Sequence, residues 1–483
     1  MSIEIILILF YLAILVFTIV RILLDTATSS KSLAYVLLVL AVPVIGIIFY
    51  FSFGVNYRHR SYHLEANSAH IEVTESYTAQ ISDDTEKWVN TKGKIPGHFQ
   101  SLVSFHHQSM GAYLSENSFQ LLINGEDKFP NVLQTLSGAR RFIHMEYYAW
   151  ENDVRGNQIK EVLIQKAKEG LKIRILYDDY ASMGIRKNVV KELQEAGVEI
   201  YPKIKLKLRQ FANRLNHRDH RKVILVDGEF GFVGGINISD RYDNTIDTNL
   251  YWRDTHIKFT GPLVHDLQRH FLASWNAAQP AKLLFTKDLI AAGEGQNKLP
   301  FNGLAQIIPG GPYYPFSNIM LSYLKIFNLA RETLYITNPY FIPSSSILNA
   351  LKQAAMSGVD VRLLLPDTSD SWLVGAASRF YFEELLEAGV RIFLYTKGFI
   401  HAKTVVSDAS VSVVGTANMD IRSFDLNFEI MSVVYGDELA KKLEAIFFED
   451  LELSEEVDST FWKQQPFHRK LGYASARLVS SFL

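Results

Sequence analysis

The chain contains the same charged pattern twice. HRKVILVD (His220–Asp227) and HAKTVVSD (His401–Asp408) both read His, one residue, Lys, four residues, Asp. After each copy, six residues lead to a Gly-x-x-Asn that ends at Asn237 or Asn418. Composition alone does not produce two such matches with the same continuation. The pattern therefore predicts a chain built from two related halves.

The repeat extends well beyond these motifs. AKEGLKIRILYDD from Ala167 matches AMSGVDVRLLLPD from Ala355, and LQEAGVEIY from Leu193 matches LLEAGVRIF from Leu385. The offset of 192 residues in the second pair falls to 181 at the motif histidines, so the first half holds 11 extra residues. Such a long period indicates domain duplication and not a solenoid. Each half alternates strand-like runs with helix-like runs that end in Gly, which is typical of α/β units.

The motif itself predicts a strand that enters a turn. VILV is aliphatic and β-branched, and Asp227 is followed by Gly, a turn signal. Side chains alternate faces along a strand, so His220 and Lys222 point the same way, whereas Asp227 lies at an odd offset. We therefore expect Asp227 at the turn and not as a direct partner of the histidine. We expect two similar α/β domains, with the two His-Lys strands meeting at one cleft on a pseudo-twofold axis.

Two apolar segments precede the duplicated region. Ile5–Leu24 is apolar except for Thr18 and Arg21, and Leu33–Phe53 carries no charge. Each is long enough to cross a bilayer as a helix, and a signal peptide is disfavoured because a second span follows at once. We predict a transmembrane helical hairpin, in preference to buried helices of the soluble fold.

These features divide the chain into four parts. We expect the two transmembrane helices in 1–55 and a polar linker or membrane-proximal segment with some helix in 56–115. The first α/β domain is expected over 116–300. The second is expected over 301–483, which includes a C-terminal tail.

Charge and composition limit the function classes. The 483 residues carry a formal net charge of −2, which argues against a general nucleic-acid binder, and no Cys, which excludes thiol catalysis and a disulfide scaffold. The stretch Lys203–Lys222 has eight basic residues and one acid, so it suits an anionic lipid headgroup or membrane surface, unless it is a solvated loop. The aromatic and basic tail from Phe461 predicts either a helix on the membrane surface or an ordinary terminal helix.

The twin motifs, together with HMEYY, YWRDTHIKFTGP, NPYFIP and ANMDIRSFDLNFE, resemble the phospholipase D superfamily. Within it, the resemblance is to bacterial cardiolipin synthases and covers nearly the whole chain. One departure is Gly235, where a Ser or Thr commonly follows the motif Gly. The second half keeps a hydroxyl there as Thr416.

The resemblance implies a set of catalytic residues: His220, Lys222, Asp227, His401, Lys403 and Asp408. Displacement at a phosphodiester needs a nucleophile, cations on the non-bridging oxygens and an acid for the leaving oxygen. Lys222, Asn237, Lys403 and Asn418 are expected to bind the phosphate. The resemblance favours His220 as nucleophile, which forms a phosphohistidine, and His401 as acid and base. No metal or other cofactor is expected.

Each catalytic histidine needs an orienting partner. Glu429 and Asp254 lie downstream of the two motifs, where superfamily carboxylates hydrogen-bond the catalytic histidine. A salt bridge with neighbouring Arg253 is an equally good interpretation of Asp254.

The expected function is synthesis of cardiolipin from two phosphatidylglycerol molecules, with release of glycerol. The resemblance places the protein in the cell membrane as a multi-pass protein, with its catalytic domains in the cytoplasm. Expected partners are phosphatidylglycerol and the bilayer, with neither nucleic acid nor nucleotide. Alternatives are a phospholipase D that uses water and a phosphatidyltransferase that uses phosphatidylethanolamine or another alcohol. A nuclease or an inactive scaffold is disfavoured.

Overall fold

The structure is a computed structural model that describes residues 2–26, 29–54, 62–91, 93, 95–204, 217–291 and 299–480. Its α-helices are α1 (Ile3–Asp25), α2 (Ser29–Ala41), α3 (Pro43–Phe49), α4 (Tyr62–Thr78), α5 (Thr85–Val89), α6 (Gln100–Met110), α7 (Asn124–Ser137), α8 (Val154–Lys168), α9 (Val189–Glu195), α10 (Leu263–Ala278), α11 (Asn318–Leu329), α12 (Ser345–Met356), α13 (Trp372–Arg379), α14 (Phe382–Glu387), α15 (Ile421–Asp425), α16 (Asp437–Leu451), α17 (Ser459–Lys463) and α18 (Phe467–Ser480). A π-helical turn spans Tyr50–Gly54.

The strands are β1 (Ser115–Ile123), β2 (Phe142–Tyr147), β3 (Lys172–Tyr177), β4 (Glu199–Pro202), β5 (Lys222–Val226), β6 (Phe230–Gly234), β7 (Trp252–Arg253), β8 (Thr255–Thr260), β9 (Phe301–Gly310), β10 (Thr333–Thr337), β11 (Phe341–Ile342), β12 (Asp360–Pro366), β13 (Arg391–Tyr395), β14 (Phe399–Ile400), β15 (Thr404–Ser407), β16 (Val411–Gly415), β17 (Met419–Asp420), β18 (Glu429–Tyr435) and β19 (Ser454–Glu456).

In the N-terminal region, the first predicted apolar span is confirmed as one long helix, and the second is divided into shorter helices. Within the described residues, only α1 is long and apolar enough to cross a membrane, with a mean hydropathy of 2.9 over its most apolar stretch. The second segment, predicted as one span over Leu33–Phe53, is divided into α2, α3 and the π-helical turn. The division falls at Pro43, which has no N–H to donate and whose ring clashes with the preceding helical turn. The predicted hairpin is therefore only partly present.

One 15-stranded sheet runs through both halves, in the order β19-β13-β12-β10-β15-β16-β18-β9-β1-β8-β6-β5-β2-β3-β4. Outward from the central β1–β9 pair, the first half reads β1, β8, β6, β5, β2, β3, β4. The second half reads β9, β18, β16, β15, β10, β12, β13, which is the same topology. Because β1 and β9 are antiparallel, the two halves are related by a pseudo-twofold axis at this pair. The predicted pair of similar α/β domains is confirmed.

Matched glycines end matched helices in the two halves. Helix α8 connects the parallel strands β2 and β3, and α12 connects β10 and β12. Each helix is followed by a glycine with φ of 93°, Gly170 in the first half and Gly358 in the second. This left-handed conformation is cheap only for glycine, so the glycine fixes where the helix stops and the next strand begins.

The two halves share one hydrophobic core. Around β1 and β9, Phe119 and Ile257 from the first half pack in one buried cluster with Ile307 and Val434 from the second. All four side chains are at most 1% exposed. The join between the halves is therefore an interior, and it places the two motif strands on either side of one axis.

The segment expected as a linker, 56–115, belongs to this folded body where the structure describes it. Val73 and Tyr77 of α4 pack in the central core. Phe99 and Leu102 pack in the core of the second half. A polar linker does not describe these residues, because their apolar side chains are interleaved with the duplicated domains.

Candidate active site

A cavity of about 470 Å³ lies between the two halves and is lined by both motif histidines. The backbone fixes each histidine against the opposite half. His220 N–H donates to the carbonyl of Phe428 at 3.0 Å, and His401 N–H donates to the carbonyl of Arg253 at 2.7 Å. Phe428 and Arg253 are matched residues of the two halves, and each directly precedes an acidic residue. The same pseudo-twofold axis therefore relates the two histidine environments.

Each imidazole is paired with a carboxylate from the other half. The distance from His220 Nδ1 to Glu429 Oε2 is 3.0 Å, and from His401 Nδ1 to Asp254 Oδ2 it is 2.7 Å. Both carboxylates are fully buried. Arg253, the alternative partner of Asp254, instead places its Nε 2.9 Å from another carboxylate. Sequence order does not show this exchange of partners between halves.

The carboxylates set which nitrogen can react. A carboxylate at Nδ1 holds the neutral tautomer with its proton on Nδ1, and so leaves the lone pair on Nε2. Among the described residues, Nε2 of neither His220 nor His401 has a hydrogen-bond partner. The structure thus presents two uncommitted imidazole nitrogens at one cavity.

Burial lowers the pKa of both imidazoles, that of His220 to about 4 and that of His401 to about 3. Glu429 opposes the effect at His220, whereas Lys403 adds to it at His401. Burial acts to raise the pKa of Glu429, yet the pairing with His220 leaves that pKa below its ordinary value. These pKa values favour the neutral form of both rings at pH 7. A bound phosphodiester anion would raise both histidine pKa values, since opposite charge favours the imidazolium.

The surroundings of the two carboxylates differ at the position that departs from the family pattern. The Thr416 hydroxyl donates to the Glu429 carboxylate and accepts from the N–H of Ile430 at 3.0 Å. At the matched site, a Cβ on Gly235 would lie 2.2 Å from Asp254 Oδ1. The glycine is required there because the carboxylate of Asp254 occupies the space that a side chain would need.

The motif lysines lie behind the histidines and do not line the cavity. Lys222 Nζ donates to the carbonyl of His220 at 2.7 Å, and Lys403 Nζ donates to that of His401. Burial lowers the pKa of Lys222 to about 7 and that of Lys403 to about 8. A bound anion raises these pKa values, and the buried ammonium groups then act on it with little screening by water.

The two motif asparagines line the cavity but are not equivalent. Asn237 Nδ2 donates to the hydroxyl of Tyr242 at 2.6 Å, and its Oδ1 accepts from the N–H of Ala149 at 3.2 Å. Asn418 Oδ1 is buried and has no partner among the described residues. The Asn418 amide therefore has more hydrogen-bonding capacity left for a ligand than the Asn237 amide.

The motif aspartates lie elsewhere, at turns. Asp227 and Asp408 have positive φ values of 55° and 51°. Asp227 Oδ1 accepts from the N–H groups of Arg141 and Phe142 at 2.8 and 2.9 Å, and Asp408 Oδ1 accepts from the N–H of Thr333 at 3.0 Å. Neither lines the cavity. Their placement in the catalytic set is thus not supported by contact; they fasten the turns to the starts of β2 and β10, as the odd offset predicted.

Aromatic rings enclose both histidines, and the sequence analysis gave them no role. The ring of Tyr148 meets that of His220 edge-on at 4.7 Å between centroids. The rings of Tyr242 and Trp252 lie 5.6 and 5.5 Å from that of His401. These rings restrict water around the imidazoles. Tyr148 and Trp252 stand in the segments HMEYY and YWRD, whereas Tyr242 lies outside both.

Arginines supply further positive charge at the cavity. Arg218 and Arg422 both line it, one from each half. The first belongs to the predicted basic stretch Lys203–Lys222, of which 205–216 lie outside the described residues. Lys203 itself is buried, with its Nζ 2.7 Å from Glu146 Oε1. That lysine is therefore not part of a surface for lipids.

The back of the His220 strand is charged, whereas the back of the His401 strand is apolar. His220 is flanked by buried Asp219 and Arg221, and His401 by buried Ile400 and Ala402. Arg221 Nε donates to the carbonyl of Glu429 at 3.2 Å. A buried guanidinium thus fastens the backbone of the carboxylate that orients His220, and the second half has no counterpart. The contrast is visible in the sequence as DHRK against IHAK.

Comparison with known proteins shows the family of the chain. The family model described as "Cardiolipin synthase, PLD-like domain" matches residues 132–275 and 323–451, one stretch in each half. A second model, "Phospholipase_D-nuclease N-terminal", matches residues 13–54. The chain is 36% identical over 481 residues to the major cardiolipin synthase ClsA of Bacillus subtilis, with 99% of both chains covered. It is 37% identical over 457 residues to a cardiolipin synthase of Alkalihalophilus pseudofirmus, covering 94% of this chain and 89% of that one.

Among solved structures, the fold is similar to that of phosphatidylserine synthase from Haemophilus influenzae. The TM-score is 0.58 at 14% identity, and the match covers 76% of this chain and 95% of the other. This likeness concerns the fold alone. The family model, which matches more than half of the chain, and the full-length relatives carry the assignment. The chain therefore belongs to the cardiolipin synthase family of phosphatidyltransferases with two phospholipase D-like domains.

Proposed function

We propose that the protein transfers a phosphatidyl group from one phosphatidylglycerol molecule to the headgroup hydroxyl of a second, giving cardiolipin and glycerol. The observation that carries this proposal is the pair of histidine–carboxylate couples, each built from both halves, at one cavity. Family membership supports the lipid class of the substrate.

In the first step, Nε2 of His220 attacks the phosphorus of the donor lipid. A P–N bond forms and the P–O bond to glycerol breaks, so the phosphatidyl group is held as a phosphohistidine. His401, protonated when the substrate anion is bound, gives its Nε2 proton to the departing alkoxide. Glu429 and Asp254 stabilise the positive charge that each ring carries in turn.

In the second step, the roles of His401 reverse. Its neutral Nε2 accepts the proton of the incoming hydroxyl, which attacks phosphorus while the P–N bond to His220 breaks. One alcohol has then replaced another on the same phosphate, and no bond energy has to be supplied from outside.

The phosphate is bound by groups that the structure gathers around the cavity. Asn418 supplies an uncommitted amide, and Arg218 and Arg422 supply charge at the lining. Lys222 and Lys403 act from behind the histidines as buried cations. Preorganised charge of this kind stabilises the additional negative charge of the transition state.

The protein associates with membranes, in keeping with its apolar helix α1 and its lipid-metabolising family. We further propose that it is a multi-pass protein of the cell membrane with its catalytic domains in the cytoplasm. Accessibility of a cysteine introduced at exposed Met356, in right-side-out and inverted vesicles, tests the orientation. Labelling from the outer face would contradict it.

The decisive assay is mass spectrometry of lipids after the purified full chain is mixed with phosphatidylglycerol alone. Cardiolipin and glycerol in equal amounts would support the proposal. Phosphatidic acid without cardiolipin would show water as the acceptor, and therefore a phospholipase D. Product that forms only after phosphatidylethanolamine is added would identify the second substrate instead.

The histidine roles need a separate experiment. We expect Glu429→Gln to lower kcat by about 10²-fold or more, because the amide disfavours the imidazolium that forms at His220. Phosphorus label trapped by acid-free denaturation is expected on His220 in the unmodified protein and depleted in the variant. Asp254→Asn is the matched change at the other half. Label on His401 would reverse the two roles without overturning the phosphatidyl transfer.

A further inference from the structure

The C-terminal helix α18 carries an apolar stripe that points away from the protein. Phe467, Leu471 and Leu478 are 79%, 53% and 73% exposed. Their spacings of four and seven residues place them on one side of a helix with 3.6 residues per turn. Three large apolar side chains on one exposed stripe are more than the scattered single residues that soluble surfaces show.

The opposite side of the same helix is the one that packs on the protein. Ala476 is 3% exposed and lies in a small core with Ala376 and Ala377 of α13, and Tyr473 packs against that core. On an α-helix, position 476 is about half a turn around from the apolar stripe. The exposed stripe is therefore not the side by which α18 packs on the protein, because the side that carries Ala476 does this.

Helix α13 connects this surface to the active-site cavity. Its first residue, Trp372, is 78% exposed. Two residues to either side, Asp370 and Val374 line the cavity. Since α13 packs directly against α18, the exposed ring of Trp372, two residues from the cavity lining, and the exposed stripe lie on adjoining elements.

The tail carries a small excess of positive charge. From Phe461 to the C-terminal residue the sequence holds four basic residues and no acidic one. Lys463 and Lys470 are paired with Glu387 and Glu383 of α14 at 3.0 Å, so two of the four positive charges are balanced locally. Phe461 is itself 64% exposed on the neighbouring helix α17. An amphipathic helix with aromatic and aliphatic residues on one side and flanking cations typically lies in the headgroup layer of a membrane.

We propose that α18, together with Trp372, docks on an anionic phospholipid bilayer and sets the cavity mouth against the headgroup layer. The lipid class of the partner rests on the proposed function. Phe467, Leu471 and Leu478 enter the boundary between headgroups and acyl chains. A lipid headgroup then reaches the histidines while its acyl chains stay in the bilayer.

The absence of Cys from the sequence makes the test direct, since a single introduced cysteine takes up the label alone. The full chain is reconstituted in vesicles of phosphatidylglycerol and brominated phosphatidylcholine, with an environment-sensitive fluorophore on Leu471→Cys. Met356→Cys is the matched control, because Met356 is 77% exposed. It ends α12, just before β12 begins, at the end of the sheet opposite the cavity. We expect strong bromine quenching at position 471 and little at 356.

Equal quenching at both positions, or none at 471, would overturn the proposal. Efficient disulfide cross-linking of Leu471→Cys between two copies at high dilution would also overturn it, because the stripe would then be an interface between protein chains. The readout needs no turnover, so it is repeated with His401→Ala. Quenching that persists in an inactive protein separates the docking surface from the catalytic proposal.

The effect on activity is measured with Phe467→Ser, Leu471→Ser and Leu478→Ser combined. We expect turnover on vesicles to fall about tenfold, whereas turnover of the same lipid dispersed in detergent stays within twofold of the unmodified protein. Loss in both systems would indicate a folding defect and not loss of docking, and unchanged turnover on vesicles would contradict the proposal.

Discussion

At the residue scale, the two histidine environments differ at the position that follows the motif glycine, Gly235 in one half and Thr416 in the other. The carboxylate of Asp254 fills the position that a side chain on Gly235 would take, whereas Thr416 at the matched site donates a hydrogen bond to Glu429. The two halves therefore hold their histidine-orienting carboxylates in different ways. In one half a hydroxyl fixes the carboxylate, and in the other the carboxylate fits against bare backbone.

We expect Gly235→Ala to lower kcat at least tenfold, because the new methyl group must displace the Asp254 carboxylate from the ring of His401. Thr416→Ser is the matched control, since it keeps the hydroxyl and should retain most of the activity. Lipid turnover and thermal denaturation are measured on both variants. A Gly235→Ala enzyme with unchanged kcat would show that the carboxylate position is not needed for catalysis.

Several site residues were foreseeable from the sequence, and others were not. The motif gave the two histidines and the strands that follow them, because the aliphatic run after each motif lysine has the local pattern of a strand. Contacts across the twofold axis were hidden, because Glu429 is 209 residues from the histidine that it orients. Arg221 was treated as part of a basic stretch, although its guanidinium is buried against the backbone of Glu429.

At the scale of elements, α6 shows how a segment outside the repeat joins the fold. His106 is fully buried, with Nε2 2.8 Å from the Ser322 hydroxyl and Nδ1 3.2 Å from Gln306 Oε1. It thereby connects α6 to α11 and β9 of the second half. The polar composition of 56–115 did not reveal this role, because sequence alone does not distinguish a buried, hydrogen-bonded histidine from an exposed one.

Burial lowers the pKa of His106 to about 3, well below the ordinary 6.5 of an unfolded chain. Between these values the unfolded state binds the extra proton, so this residue's contribution to stability is present above pH 6.5 and is lost as the pH falls. We expect the contribution of His106 to the free energy of unfolding to fall by about 1.4 kcal/mol per pH unit below pH 6.5. The test is denaturation of the unmodified protein and of His106→Gln between pH 7 and 5. The difference between their free energies of unfolding should shrink as the pH falls.

His468→Gln is the control for that measurement, because the side chain at 468 is exposed. We expect this variant to follow the unmodified protein at every pH. A His106→Gln variant that did the same would show that the buried imidazole does not couple folding to pH.

At the scale of the whole molecule, one sheet and a shared central core join the halves, which predicts that they unfold as a single cooperative unit. We expect Ile224→Ala, in fully buried β5, to lower the free energy of unfolding by about 2–5 kcal/mol and to lower it for both halves together. Hydrogen exchange of peptides from β12 and β16 should then lose protection in step with those from β5. Protection that persisted in the second half alone would contradict cooperative unfolding. Phe461→Ser, at an exposed site, is the control.

The sequence by itself determined the duplication, the α/β class, the two histidine strands and the apolar N-terminus. These are properties of local periodicity and of repeated segments, which survive without knowledge of distant contacts. The tertiary structure alone decided that each histidine takes its carboxylate from the other half and that the motif aspartates hold turns. It also decided that Val73, Tyr77, Phe99 and Leu102 pack into the core, and which side of the last helix is left exposed. The physical reason is that burial and pairing depend on which distant segments meet when the two halves form one sheet.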